Sequence, residues 1–120
     1  MNQINTQFRA DEARTKMTDC ITQEIVSVAA LESLPAKEDE LLSMLRELYT
    51  LMHEKGYSRD SLYRDATRPD RFLHVRCWTS AEMRAEAQAD PEVHHFWQRL
   101  PELCTVTVLH ESMEKVFESQ

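Results

Sequence analysis

Glycine is almost missing from this chain of 120 residues: Gly56 is the only one. With no Gly/Ser or Pro tract to act as a linker, the length predicts a single domain. Residues 1–20 carry no sustained apolar period and are expected to form an N-terminal extension, and residues 21–120 the domain. Basic runs are missing too. The 14 Lys and Arg stand against 21 Asp and Glu, a formal charge of −7, which excludes nucleic acid as the main partner because nothing could track a phosphate backbone. No apolar run approaches the ~20 residues of a membrane span, and the polar start MNQINTQFRADEARTKMTDC lacks the apolar core of a signal peptide. No membrane partner is expected, and the expected location is the cytoplasm. Cys20, Cys77 and Cys104 are odd in number and widely separated, without zinc or disulfide-scaffold spacing, so reduced structural thiols and no metal site are expected. Phosphate-cradling glycine motifs, H-E-x-x-H and the nucleophile elbow are also absent, which leaves a cofactor-dependent enzyme without support.

What is present has a clear order. ITQEIVSVAALESL, rich in β-branched and small apolar residues and stopped by Pro35, predicts a first strand. KEDELLSMLRELYTLMHEKG sets Leu41, Leu45, Leu48 and Met52 at helical spacing, with Leu42 and Tyr49 beside them, an acidic first turn and Gly56 after the end; this predicts a helix. Two alternating stretches flank a polar turn at 65–70 that contains Pro69, which predicts a hairpin. Thr79 followed by Glu82 predicts a capping box for a short helix. Asp90-Pro91 restarts the helix and Pro101 is expected to end it. Within it Val93, Phe96, Trp97 and Leu100 form an apolar stripe. LCTVTVLHES supplies a last strand.

The resulting β-α-β-β-α-β order is the α+β, ferredoxin-like pattern, an antiparallel sheet with helices on one side. Apolar alternation on both faces, Ile25 and Leu31 against Val26 and Val28, predicts that a second copy covers the bare face. A homodimer through the sheet face is expected.

From about Glu24 to Phe117 the chain resembles the antibiotic biosynthesis monooxygenase domains, which form dimeric α+β barrels. The resemblance rests on LPAKEDELLSMLREL, the Gly-Tyr before the hairpin, RPDRFLHVRCWTSAEM, and ADPEVHHFWQRLPEL before the last strand. It implies a monooxygenase that oxidises a small aromatic substrate, quinol- or anthrone-like, with molecular oxygen and no cofactor, since such a substrate once deprotonated can itself give an electron to oxygen. Departures from the family's pattern are specific. Arg76 stands where many members have Glu, Ala87 and Glu92 where quinol-oxidising relatives have His, and His74 where actinorhodin-pathway relatives have Asn. The first strand lacks the Asn of haem-degrading relatives.

The third strand carries the candidate catalytic residues. Phe72, His74, Arg76 and Trp78 alternate along it and so share one face. In the catalytic reading His74 is the base, Arg76 stabilises an oxyanion and the Trp78 indole N–H orients a ligand oxygen. The alternative uses are a core tryptophan, a histidine bonded across the sheet and an arginine paired across the hairpin or the dimer. His94, Phe96 and Trp97 on the last helix, Tyr49 on the first and Phe72 are the candidate substrate-binding residues. His94 borders the apolar stripe and His95 lies nearly opposite, too far apart in direction to hold one metal. The competing function is a non-catalytic, dimeric ligand-binding or interaction module of the same fold.

Overall fold

The structure, a computed structural model, describes residues 25–119; the expected extension at 1–20 lies outside them. Strand β1 (Ile25–Ser33) is followed by helix α1 (Glu38–Glu54), the hairpin β2 (Ser58–Asp65) and β3 (Arg68–Trp78), helices α2 (Ala81–Gln88) and α3 (Pro91–Leu103), and strand β4 (Cys104–Glu114). The strands form one sheet in the order β2-β3-β1-β4, antiparallel throughout. This is the expected ferredoxin-like α+β fold.

Helix α1 buries Leu41, Met44, Leu45, Leu48 and Met52 against Ala29, Leu31 and Phe72 of the sheet. Glu38, Asp39 and Glu40 fill its first turn, where the exposed N–H groups favour negative charge. Past its end Gly56 takes φ +74° and donates its N–H to the His53 carbonyl at 3.0 Å, the left-handed conformation a helix stop favours. Lys55 and Tyr57 then reach across to Asp90, each at 2.7 Å. They tie the end of α1 to the α2–α3 junction. The Lys55 ammonium, with the Tyr57 hydroxyl, holds the Asp90 carboxyl down to about 2.

Four local expectations are corrected. The cap of α2 is Ser80, whose Oγ accepts from the Met83 N–H at 3.0 Å, while Thr79 is held in the strand end by its N–H bond to the Tyr57 carbonyl. Helix α3 runs through Pro101 to Leu103; a proline so close to the helix end removes one hydrogen bond, and the Leu103 carbonyl is taken by the Leu34 N–H at 2.9 Å. The hairpin turns at Ala66 and Thr67, with Asp65 paired to Arg68 and accepting from the Thr67 N–H; Pro69 falls in the irregularity that follows, where a missing N–H does least harm. Finally, Cys77 is disulfide-bonded, so the reduced state expected of the cysteines holds for Cys104, whose thiol burial pushes up to about 11.

Among the described residues the helices cover one sheet face only. On the other face Tyr63, Leu73, Val108 and Met113 are exposed. Strand β4, at the sheet edge, buries only Cys104.

Candidate functional site

The face of β3 that carries Phe72, His74, Arg76 and Trp78 looks toward the helices. Phe72, Arg76 and Trp78 are buried, and the last two with His74 form the floor of a cavity of about 300 Å³, at the lower end of small-molecule sites. Leu45 and Leu48 of α1 and Phe96, Trp97 and Leu100 of α3 wall it, and Val106 and Leu109 border it at the β4 edge. The α3 stripe is thus split in use. Val93 is fully buried, whereas Phe96, Trp97 and Leu100 stay partly accessible because the cavity takes the place of packing partners.

His74 is anchored from above. Tyr49 Oη lies 2.6 Å from its Nδ1, and the Ser61 carbonyl is 3.4 Å from the same hydroxyl. Burial, the Arg76 charge adding to it, lowers the imidazole to about 4, so it is neutral near pH 7. Burial, with the Asp60 charge, pushes the Tyr49 phenol well above its ordinary value, so it keeps its proton. A phenol can use its oxygen either way. With its proton directed at Nδ1, the ring carries its own proton on Nε2; with Oη accepting from Nδ1–H, the phenolic proton turns to the Ser61 carbonyl and Nε2 keeps a lone pair.

Arg76 and Trp78 have their polar atoms engaged. Arg76 Nε and Nη2 grip Asp60 Oδ1 and Oδ2 at 2.9 and 3.1 Å, a bidentate pair whose side chains are only 6% and 0% exposed. Ser58 Oγ donates to the same Asp60 at 3.0 Å. The Trp78 indole N–H donates to Ser27 Oγ at 2.9 Å, and that hydroxyl donates to the Glu111 carbonyl at 2.7 Å. The indole therefore fixes β3 to β1 and β4 through a side chain, and offers the cavity its ring.

The other candidates divide. Phe96 and Trp97 wall the cavity. Tyr49 and Phe72 line a second recess with Asp60, between α1 and the hairpin. His94 turns away: its Nε2–H donates to the Gln88 carbonyl and its ring stacks on Trp97 at 5.4 Å. Asp60, Ser27, Arg84 and Gln88 belong to the site and were not singled out by sequence; only the i, i+4 spacing of Arg84 and Gln88 on one helix face signals any of them beforehand. Among the described residues no three His, Cys, Asp or Glu side chains converge as a metal set, and no helix is long and apolar enough to cross a membrane.

No protein-family model matches the chain, and no curated protein sequence matches it. Solved structures do. A Chloroflexus aurantiacus protein described as a candidate antibiotic biosynthesis monooxygenase superposes with a TM-score of 0.65 at 18% identity, over 81% of this chain and 97% of that one. SnoaB, a cofactor-independent oxygenase from Streptomyces nogalater, gives 0.64 at 19% identity, over 80% and 99%. This chain has the ferredoxin-like α+β fold of these structures. A Shewanella oneidensis protein at 26% identity shares it with a TM-score of 0.64, over 78% of this chain and 91% of that one. Within this shared fold, the cavity lies between the helices and the β3 face.

Proposed function

We propose that this protein is a cofactor-independent monooxygenase that oxidises a small aromatic, quinol- or anthrone-like substrate with molecular oxygen, working as a homodimer in the cytoplasm. The observation that carries the reading is His74: a neutral imidazole on the floor of an apolar cavity, with Nδ1 anchored by Tyr49. Its Nε2 has no partner among the described residues and is left for a ligand.

The proposed chemistry begins with proton transfer from the substrate to Nε2. The imidazolium so formed donates Nδ1–H to Tyr49 Oη, whose own proton turns to the Ser61 carbonyl. An imidazole lowered to about 4 is a weak base in the empty cavity. A substrate anion formed beside it supplies the opposite charge that favours the protonated ring. The electron-rich anion then reduces oxygen directly. One oxygen atom ends on the substrate carbon, the other leaves as water with two substrate hydrogens, and the substrate provides all the electrons. Trp78, Phe96 and Trp97 offer apolar ring surface to a flat ligand, and the apolar walls limit water around the reacting anion. Arg76, its charge matched by Asp60, acts through the field it exerts on His74.

The dimer is supported by the open sheet face. Tyr63, Leu73, Val108 and Met113 make an exposed apolar patch of the kind that marks a protein interface. A second reading, a non-catalytic ligand-binding module, is favoured by the engagement of Arg76 and Trp78, whose polar atoms are committed to Asp60 and Ser27.

Oxygen uptake separates the two readings. Without added flavin or metal, the purified protein is expected to accelerate oxygen consumption by an anthrone or hydroquinone, and His74→Ala to lose that acceleration while remaining folded. No acceleration across a varied panel, or full activity in the variant, would leave only the binding module.

A further inference from the structure

Arg84 is a cation of the cavity wall with no ion-pair partner among the described residues. Three other cations near the helix–sheet boundary are neutralised: Arg76 by Asp60, Arg64 by Glu38, Lys55 by Asp90 and Glu92. The Arg84 guanidinium has no hydrogen bond or salt bridge among the described residues; it lies over the Trp78 ring at 5.9 Å and lines the same cavity. Among the described residues no carboxylate is within ion-pairing reach of it, and Glu111 is the acidic residue that lines the same cavity. Gln88, one helical turn on, lines the same wall and adds a neutral amide.

A guanidinium offers a planar fork of donors that fits a carboxylate through two parallel bonds. Lying 5.9 Å from an indole ring beside an apolar cavity and half-buried, it is partly shielded from water, where opposite charges interact more strongly than in bulk solvent. His74 and Trp78 are four residues apart on one strand, roughly 13 Å, so a group held over Trp78 leaves the far end of a fused-ring ligand near His74. We propose that Arg84, with Gln88, forms an anion-recognising end of the cavity, and that the ligand selected is a fused aromatic carboxylic acid bound with its carboxylate on Arg84. The placing of the ligand's far ring at His74 rests on the monooxygenase reading; the anion preference does not.

Binding tests it without reference to turnover. The full-length protein is titrated by calorimetry with 2-naphthoate and with its neutral isostere 2-naphthamide, in the wild type, Arg84→Met and Arg84→Lys. The Met side chain keeps apolar cover over Trp78 and Lys keeps the charge. The wild type is expected to bind the carboxylate about 10-fold or more tighter than the amide, in line with a charge-assisted hydrogen bond. In Arg84→Met that preference falls to within about twofold with amide affinity unchanged, and Arg84→Lys keeps part of it. Equal affinities in the wild type, a preference that survives Arg84→Met, or no binding of either compound overturns the proposal. Anion preference without oxygen uptake on any substrate would instead remove the monooxygenase reading and leave this one standing.

Discussion

Tyr49 Oη stands 2.6 Å from His74 Nδ1, a contact that crosses from α1 to β3 and fixes the direction of the imidazole. The hydroxyl's other neighbour, the Ser61 carbonyl, gives its proton somewhere to go when the ring becomes charged. Tyr49→Phe keeps the ring packing and removes this partner. Oxygen uptake is expected to fall by roughly 10- to 100-fold, the range of a hydrogen bond to a charged group, with ligand affinity little changed. A variant with wild-type turnover would remove Tyr49 from the mechanism.

The lowered value of His74 has a consequence for stability, with a definite sign. Its folded value of about 4 lies below the ordinary 6.5, so the unfolded chain binds the proton more readily. The stability linked to neutral His74 is complete above about pH 6.5 and is lost as pH falls toward 4, with a slope of at most ~1.4 kcal/mol per pH unit. Asp90, held at about 2, acts in a lower window, contributing above about pH 4 and losing its effect toward pH 2. Urea midpoints measured from pH 7 to 3 are expected to fall less between pH 6.5 and 4 in His74→Gln than in the wild type. Asp90→Asn is expected to flatten only the more acidic limb.

Arg76 and Asp60 form a buried pair whose members depend on each other. Removing one leaves the other charged and without a partner, so Asp60→Ala is expected to cost about 3–5 kcal/mol in denaturant unfolding, whereas the double variant Arg76→Met/Asp60→Leu is expected to be close to neutral. If the two single losses simply add in the double variant, the pair is not coupled.

The open face of the sheet gives a prediction about assembly. Leu73→Asp sets a charge in the middle of the exposed patch, on the side of β3 opposite the cavity. In sedimentation velocity the wild type is expected to run as a dimer and the variant as a monomer at micromolar concentration. A monomeric wild type would remove the homodimer.

The sequence determined the order of the elements because that order rests on local physics. The Leu41, Leu45, Leu48, Met52 spacing makes α1 amphipathic, Asp90-Pro91 starts α3, and alternation makes β3 two-faced wherever it lies. Alternation also grouped His74, Arg76 and Trp78 on one side before any fold was known. Which way that side looks was decided only by tertiary structure, since apolar residues occupy both faces of the strand and either could have been covered. The pairing partners were hidden for a related reason. A hairpin with no irregularity after Asp65 would set Asp60 opposite Leu73, and only the register shift brings it to Arg76. Trp78 meets Ser27, and Tyr49 meets His74, across contacts 51 and 25 residues apart in the chain. Local sequence pattern carries no record of such distances: spacing fixes which side chains share a face, and packing fixes what that face meets.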